Sequence, residues 1–175
     1  MKVSAVVVTY NRRELLEKTL AGLEAQERPL DHIVIIDNAS TDDTADYLAA
    51  RPFTVPHTVK RLAENTGGAG GFAAGIDLAY GLGFDAFWVM DDDSVCRPSA
   101  LAPLLRDLED AEERLGFLPS FACSLVVFQK DGSVCEMNVP ETTWDWARPL
   151  ALGATYPLVK SASFVSCLVT REGVH

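Results

Sequence analysis

The 175 residues predict an α/β domain with a mostly parallel sheet and helices on both faces. Continuous β-branched runs fit strands buried on both sides, apolar residues at helical spacing follow each run, and polar or acidic residues stand where each run stops. Hydrophobic residues make up 48% of the chain, enough to build one real core.

Residues 3–8 form the first run, and Leu15, Leu16, Thr19, Leu20 and Leu23 then repeat as one helix face. The second run, 33–36, stops at Asp37. Ser40-Thr41-Asp42-Asp43 offers a capping-box-like start to a helix reaching Ala50. Pro52 and Pro56 bracket a turn before a third strand over 57–62, after which a glycine-rich stretch leads into an Ala-rich helix over 71–82. Residues 86–90 make the fourth strand, and Pro98 suits the first turn of a helix ending near Arg114. After Phe117 the pattern becomes less regular mixed β: a strand over 121–129, a turn at Asp131-Gly132, its partner over 133–137 and another strand over 164–169. The last six residues read as the opening of a helix.

A net charge of −10 argues against nucleic acid as a partner, because that affinity rests on clustered Lys and Arg. Cys96, Cys123, Cys135 and Cys167 form no C-x-x-C pair and read as reduced core residues. The N-terminus lacks a signal-length apolar run, and no stretch approaches the roughly 18 apolar residues of a membrane span. The expected location is cytoplasmic.

In an open parallel sheet, ligands bind at the carboxyl ends of the strands. Thr9-Tyr10-Asn11, Asp37-Asn38 and Asp91-Asp92-Asp93 all occupy such ends. Three adjacent carboxylates repel one another, and Mg²⁺ or Mn²⁺ would relieve that repulsion while bridging to a phosphate. The plain alternative is a solvated acidic turn. A free carboxylate at Asp37 suits a base N–H or a ribose hydroxyl, whereas a turn with a helix cap is its bland reading. The loop Asn65-Thr66-Gly67-Gly68-Ala69-Gly70-Gly71-Phe72 lets backbone approach a ligand at a helix N-terminus, or is merely flexible.

In order and spacing, these motifs resemble the nucleotide-sugar half of family 2 glycosyltransferases with the GT-A fold, a Rossmann-like architecture. The triple Asp and the Gly-Gly-Ala-Gly-Gly-Phe loop are most similar to those of bacterial galactofuranosyltransferases, with rhamnosyltransferases next. The resemblance implies a nucleotide-sugar-binding half over 1–115 and a partial acceptor-side half over 116–175, within one domain. It implies inverting transfer of a sugar, galactofuranose above others, from a UDP-sugar donor to a glycan or lipid-linked glycan in cell-envelope polysaccharide synthesis, at the inner face of the membrane. Thr9, Tyr10 and Asn11 would line the nucleotide site, with Thr9 and Asp37 at the uracil. Asn65, Gly67 and Gly68 would lie beside the nucleotide or sugar, Asp91 and Asp93 on the Mn²⁺ or Mg²⁺, and Asp92 toward the ribose or sugar.

The general base stays unassigned. In the relatives it follows a strand like 163–169 and a short helix, so the chain is expected to hold the donor site without it. Asp145, between Trp144 and Trp146, is the only local stand-in.

Three other readings compete. Gly68-x-Gly70-x-x-Ala73 formally fits a dinucleotide fingerprint for an NAD enzyme, although Ala63-Glu64-Asn65-Thr66 intervene after its strand. Asp91-x-Asp93 also resembles the nucleophile loop of an aspartyl phosphatase, but no later acidic pair supports it. A non-catalytic nucleotide-sugar-binding module is the third.

Overall fold

A computed structural model describes residues 1–142 and 159–174. The elements run β1 (Val3–Thr9), α1 (Arg13–Glu24), β2 (His32–Asp37), α2 (Thr44–Ala50), β3 (His57–Arg61), α3 (Gly67–Gly81), β4 (Ala86–Asp91), α4 (Leu101–Leu115), β5 (Phe121–Cys123), β6 (Glu141–Thr142), β7 (Val159–Ser161) and β8 (Cys167–Thr170). Strands β3-β2-β1-β4-β8-β5 form one sheet, and β6-β7 a small second one. The first four are parallel, as expected of β-α units. β8 runs antiparallel to both its neighbours.

The alternation of side chains along β1 divides the core. Val3, Ala5 and Val7 face Leu16, Leu20 and Leu23 of α1 and Leu101, Leu104 and Leu108 of α4. Val6 and Val8 face Phe72 and Ala79 of α3 on the opposite side. The sheet is thus buried between two helical layers, which explains why its strands read as continuous apolar runs.

Several expectations shift. α3 begins at Gly67, four residues early, and two of its glycines lie against the sheet: a Cβ on Gly71 would come within 2.5 Å of Val8 Cγ1, and one on Gly75 would collide with Val6. Ser40 does not cap α2; its hydroxyl accepts from Asn11 N at 3.0 Å, and Asp42 Oδ1 accepts from Thr44 N instead. Pro98 lies in a turn ahead of α4. The strand expected over 121–129 stops at Cys123, and its hairpin shrinks to one bridge between Val127 and Val134, since among the described residues no further strand lies alongside. β8 starts at Cys167, after Ser166 takes a left-handed φ of 52° that breaks the ladder, and Arg171–Val174 form a 3-10 turn. Asp145, Trp144 and Trp146 lie outside the described residues.

A structural ion pair closes the helical layer. Arg51 Nη2 donates to Glu24 Oε2, while Thr54 N donates to Glu24 Oε1 at 2.7 Å. Burial pushes the Glu24 carboxyl up, but the hydrogen bonds and the Arg51 charge outweigh it and hold it below its ordinary range. A depressed acid stabilises the fold above its unfolded pKa, and that contribution disappears as pH falls through the lower folded value. Thermal melts between pH 7 and 3 are therefore expected to show a steeper acid loss in the wild type than in Glu24→Gln, beginning below about pH 4.5.

Candidate functional site

Register brings the motifs together. Thr9 pairs with Asp37 across β1 and β2, and Val8 with Asp91 across β1 and β4. Asp37, Thr9 and the acidic triplet therefore form one rim at the carboxyl edge of the sheet.

The three aspartates differ in environment. Asp92 is only 4% exposed and points inward. Its Oδ2 accepts from the Thr9 hydroxyl at 2.8 Å and from Tyr10 N at 3.4 Å, while its carbonyl accepts from Thr19 Oγ1 at 2.8 Å. Burial raises its carboxyl against the opposing pull of Thr9 and Arg12. Asp91 is half-buried, and no described residue donates to its carboxylate. Burial raises it, the charges of Asp93 and Asp92 raise it further, and Arg12 opposes them. Asp93 is half-exposed and 3.3 Å from Arg12 Nη1. Thr9 and Asp92, both expected at the ligand, are hydrogen-bonded to each other at the base of the rim.

Asp37 is buried, yet one oxygen is left without a hydrogen bond. Oδ1 accepts from Ser40 N at 2.8 Å. Arg61, its register partner on β3, brings Nη1 within 3.3 Å of Oδ2 without hydrogen-bond alignment. A buried acceptor without a donor is costly, so a ligand N–H or O–H that displaced what covers Oδ2 would satisfy it.

The loops around these carboxylates are fixed by side chains. Asn11 has a left-handed φ of 54°, and its Oδ1 accepts from Thr41 N and Asp42 N, tying the β1 loop to the β2 loop. Tyr10 stays 41% exposed at the same edge. Asn38, buried, donates to Asn65 Oδ1 and Gly67 O, both at 3.0 Å, and accepts from Thr66 N at 3.0 Å. The glycine run divides accordingly: Gly67, at φ 71°, and Gly68 have open space where a Cβ would stand, whereas Gly70, Gly71 and Gly75 are packing positions. Asn65, Gly67 and Gly68 thus remain at the rim.

Arg12 and Arg61 were not singled out from the sequence, and Asn38 was read only as part of a strand end. Each is a polar residue at or just past a strand end, and Arg12 directly follows Thr9-Tyr10-Asn11, so position alone pointed to them.

Asp91 and Asp93 supply only oxygen donors, which suits a hard divalent ion. Among the described residues no three His, Cys, Asp or Glu side chains converge on a point. An ion here would complete its shell with water and ligand oxygens, the usual arrangement for Mg²⁺ at a phosphate site. Cys96 and Cys167 offer no alternative nucleophile, since burial pushes their thiols up to about 12.

The fold and rim define a GT-A-type α/β domain. TarS 1–349 from S. aureus in complex with UDP superposes with a TM-score of 0.68 at 17% identity, covering 98% of this chain and 47% of that one. The mannosyltransferase PcManGT from Pyrobaculum calidifontis, in complex with GDP-Man and Mn²⁺, gives 0.57 at 24% identity over 74% of this chain and 36% of that one. The model of glycosyl transferase family 2 matches residues 4–130, and the chain belongs to that family. The galactofuranosyltransferase GlfT1 of Mycolicibacterium smegmatis is 43% identical over 91 residues, 52% of this chain and 30% of that protein. The abequosyltransferase RfbV of Salmonella typhimurium is 35% identical over 149 residues, 82% of this chain and 41% of its own length. The chain thus spans less than half the length of these curated relatives.

Proposed function

We propose that this chain forms the donor site of a glycosyltransferase that takes a UDP-sugar, galactofuranose above others, with Mn²⁺ or Mg²⁺, for transfer with inversion to a glycan or lipid-linked glycan acceptor. One observation carries the reading: Asp37 Oδ2, lacking a hydrogen-bond donor, and the unpartnered Asp91 stand on the same rim on either side of Thr9. That spacing of one specific acceptor and one anionic corner suits a base at one end and a cation-bridged diphosphate at the other. The galactofuranosyltransferase relatives support the sugar, and the UDP complex of TarS supports the base.

In this reading Asp37 Oδ2 accepts the imide N–H of uracil, Arg61 Nη1 lies 3.3 Å from that oxygen, and the Tyr10 ring borders the base. Asn65, Gly67 and Gly68 line the nucleotide–sugar side, and Asn11 acts by holding the two loops in register. Thr9 and Asp92 form the support beneath, fixing the turn that presents Asp91 and Asp93 to the cation. A bound divalent ion would offset the charge that grows on the departing diphosphate. No general base is assigned among the described residues. Among them no helix is long and apolar enough to cross a membrane. The proposed location is the cytoplasmic face of the membrane, where lipid-linked acceptors stand.

The dinucleotide reading loses its footing, because the glycine run follows β3, an edge strand, and its Gly71 packs on Val8 of the sheet. Base recognition is tested with Asp37→Asn. A carboxamide can offer its nitrogen to the imide and loses the charge, so UDP affinity is expected to fall at least tenfold. The preference for UDP over ADP, read by calorimetry, is expected to collapse. Unchanged UDP affinity would remove Asp37 from the site.

A further inference from the structure

Arg12 is the one cation within ion-pairing distance of the triplet among the described residues, with Nη1 3.4 Å from Asp92 Oδ1 and 3.3 Å from Asp93 Oδ2. Its backbone is fixed, since its carbonyl accepts from Leu15 N at 3.1 Å and Leu16 N at 3.0 Å at the start of α1. Its side chain is half-exposed and held only at its guanidinium end. Asp92 is anchored from below by Thr9 and cannot follow.

We propose, building on the donor-site reading above, that Arg12 is a positioning residue that occupies Asp93 in the metal-free protein and makes divalent-ion binding depend on the arrival of the diphosphate. A guanidinium and a divalent ion repel each other across a shared carboxylate, so the ion alone must displace Arg12 or tolerate its charge. A nucleoside diphosphate brings negative charge that offsets both cations, and the released guanidinium is a suitable partner for its oxygens. Ion and diphosphate then bind cooperatively, with a coupling that runs through one side chain.

The test is calorimetry of Mn²⁺ with and without UDP on the wild type, Arg12→Gln and Arg12→Lys, with circular dichroism reporting the fold. Arg12→Gln is expected to bind Mn²⁺ alone about tenfold more tightly, the order of effect that a nearby unit charge exerts on a divalent ion at near-water dielectric. The gain that UDP adds is expected to shrink in parallel. Arg12→Lys, whose single ammonium bridges both carboxylates less well, is expected to shift in the same direction by a smaller factor and carries the test if the glutamine variant does not fold. A folded variant whose affinity for Mn²⁺ alone is unchanged or weaker overturns the proposal. If the wild type binds UDP with Mn²⁺ and the variants match it throughout, only the role of Arg12 falls; if the wild type binds neither, the donor-site reading falls first.

Discussion

Asp91→Asn is expected to melt at a higher temperature than the wild type in metal-free buffer at pH 7, and at the same time to lose Mn²⁺ binding. The sign follows from the carboxyl being raised in the fold by burial and by the Asp93 and Asp92 charges. A raised acid favours its protonated form in the folded state, so its ionisation at neutral pH opposes folding, and that penalty fades as pH falls through the folded value. The advantage of the asparagine variant is therefore largest near neutrality and shrinks toward pH 4. The loss in Mn²⁺ affinity is expected to reach at least the 10–100-fold that changes around a metal ligand cause. Differential scanning across pH, paired with Mn²⁺ titration, reads both effects. A lower melting temperature at pH 7 would show that Asp91 is a structural residue rather than one held in readiness for a cation.

Gly71→Ala and Gly75→Ala are expected to destabilise the fold by about 1–3 kcal/mol each, the usual cost of forcing a methyl group into a packed core. The added carbon at Gly71 meets Val8 Cγ1 at 2.5 Å, and the one at Gly75 meets Val6 and Ile36, all core positions with little room to yield. Gly68→Ala is the control within the same run: nothing lies within 4 Å of its added carbon, and alanine favours helix over glycine by about 1 kcal/mol. It is expected to keep or raise stability and to weaken UDP-sugar binding instead. Chemical denaturation separates the two sets. Equal stability losses at positions 68, 71 and 75 would contradict the division of the glycine run into rim and packing halves.

That division shows why part of the chain was legible and part was not. Strands β1, β2 and β4 were readable because burial on both faces leaves long runs such as Val6-Val7-Val8 and Ile33-Val34-Ile35-Ile36. The start of α3 was not, because four glycines disfavour a helix locally and only contact with Val8 and Val6 compensates. Residues 124–129 look like a strand by composition, yet Leu125 and Phe128 are exposed, and the segment makes only the Val127–Val134 bridge and the turn hydrogen bonds around it among the described residues. The rim was visible as polar residues at strand ends. The pairing of Thr9 with Asp92, the bridge from Arg12 and the clamp from Asn38 were not, because they join residues 83, 80 and 27 apart in sequence. Chemistry-bearing residue types could be read locally, whereas their division between contact and support depended on long-range partners.

The most direct measurement is isothermal titration of this chain with UDP, in the presence of Mn²⁺ and again with the ion removed by chelator. The account predicts one UDP site whose affinity falls by an order of magnitude or more without Mn²⁺ and that Asp91→Asn reduces to the chelated level. UDP binding of equal strength in both conditions, or protection by NAD⁺ where UDP gives none, would contradict it.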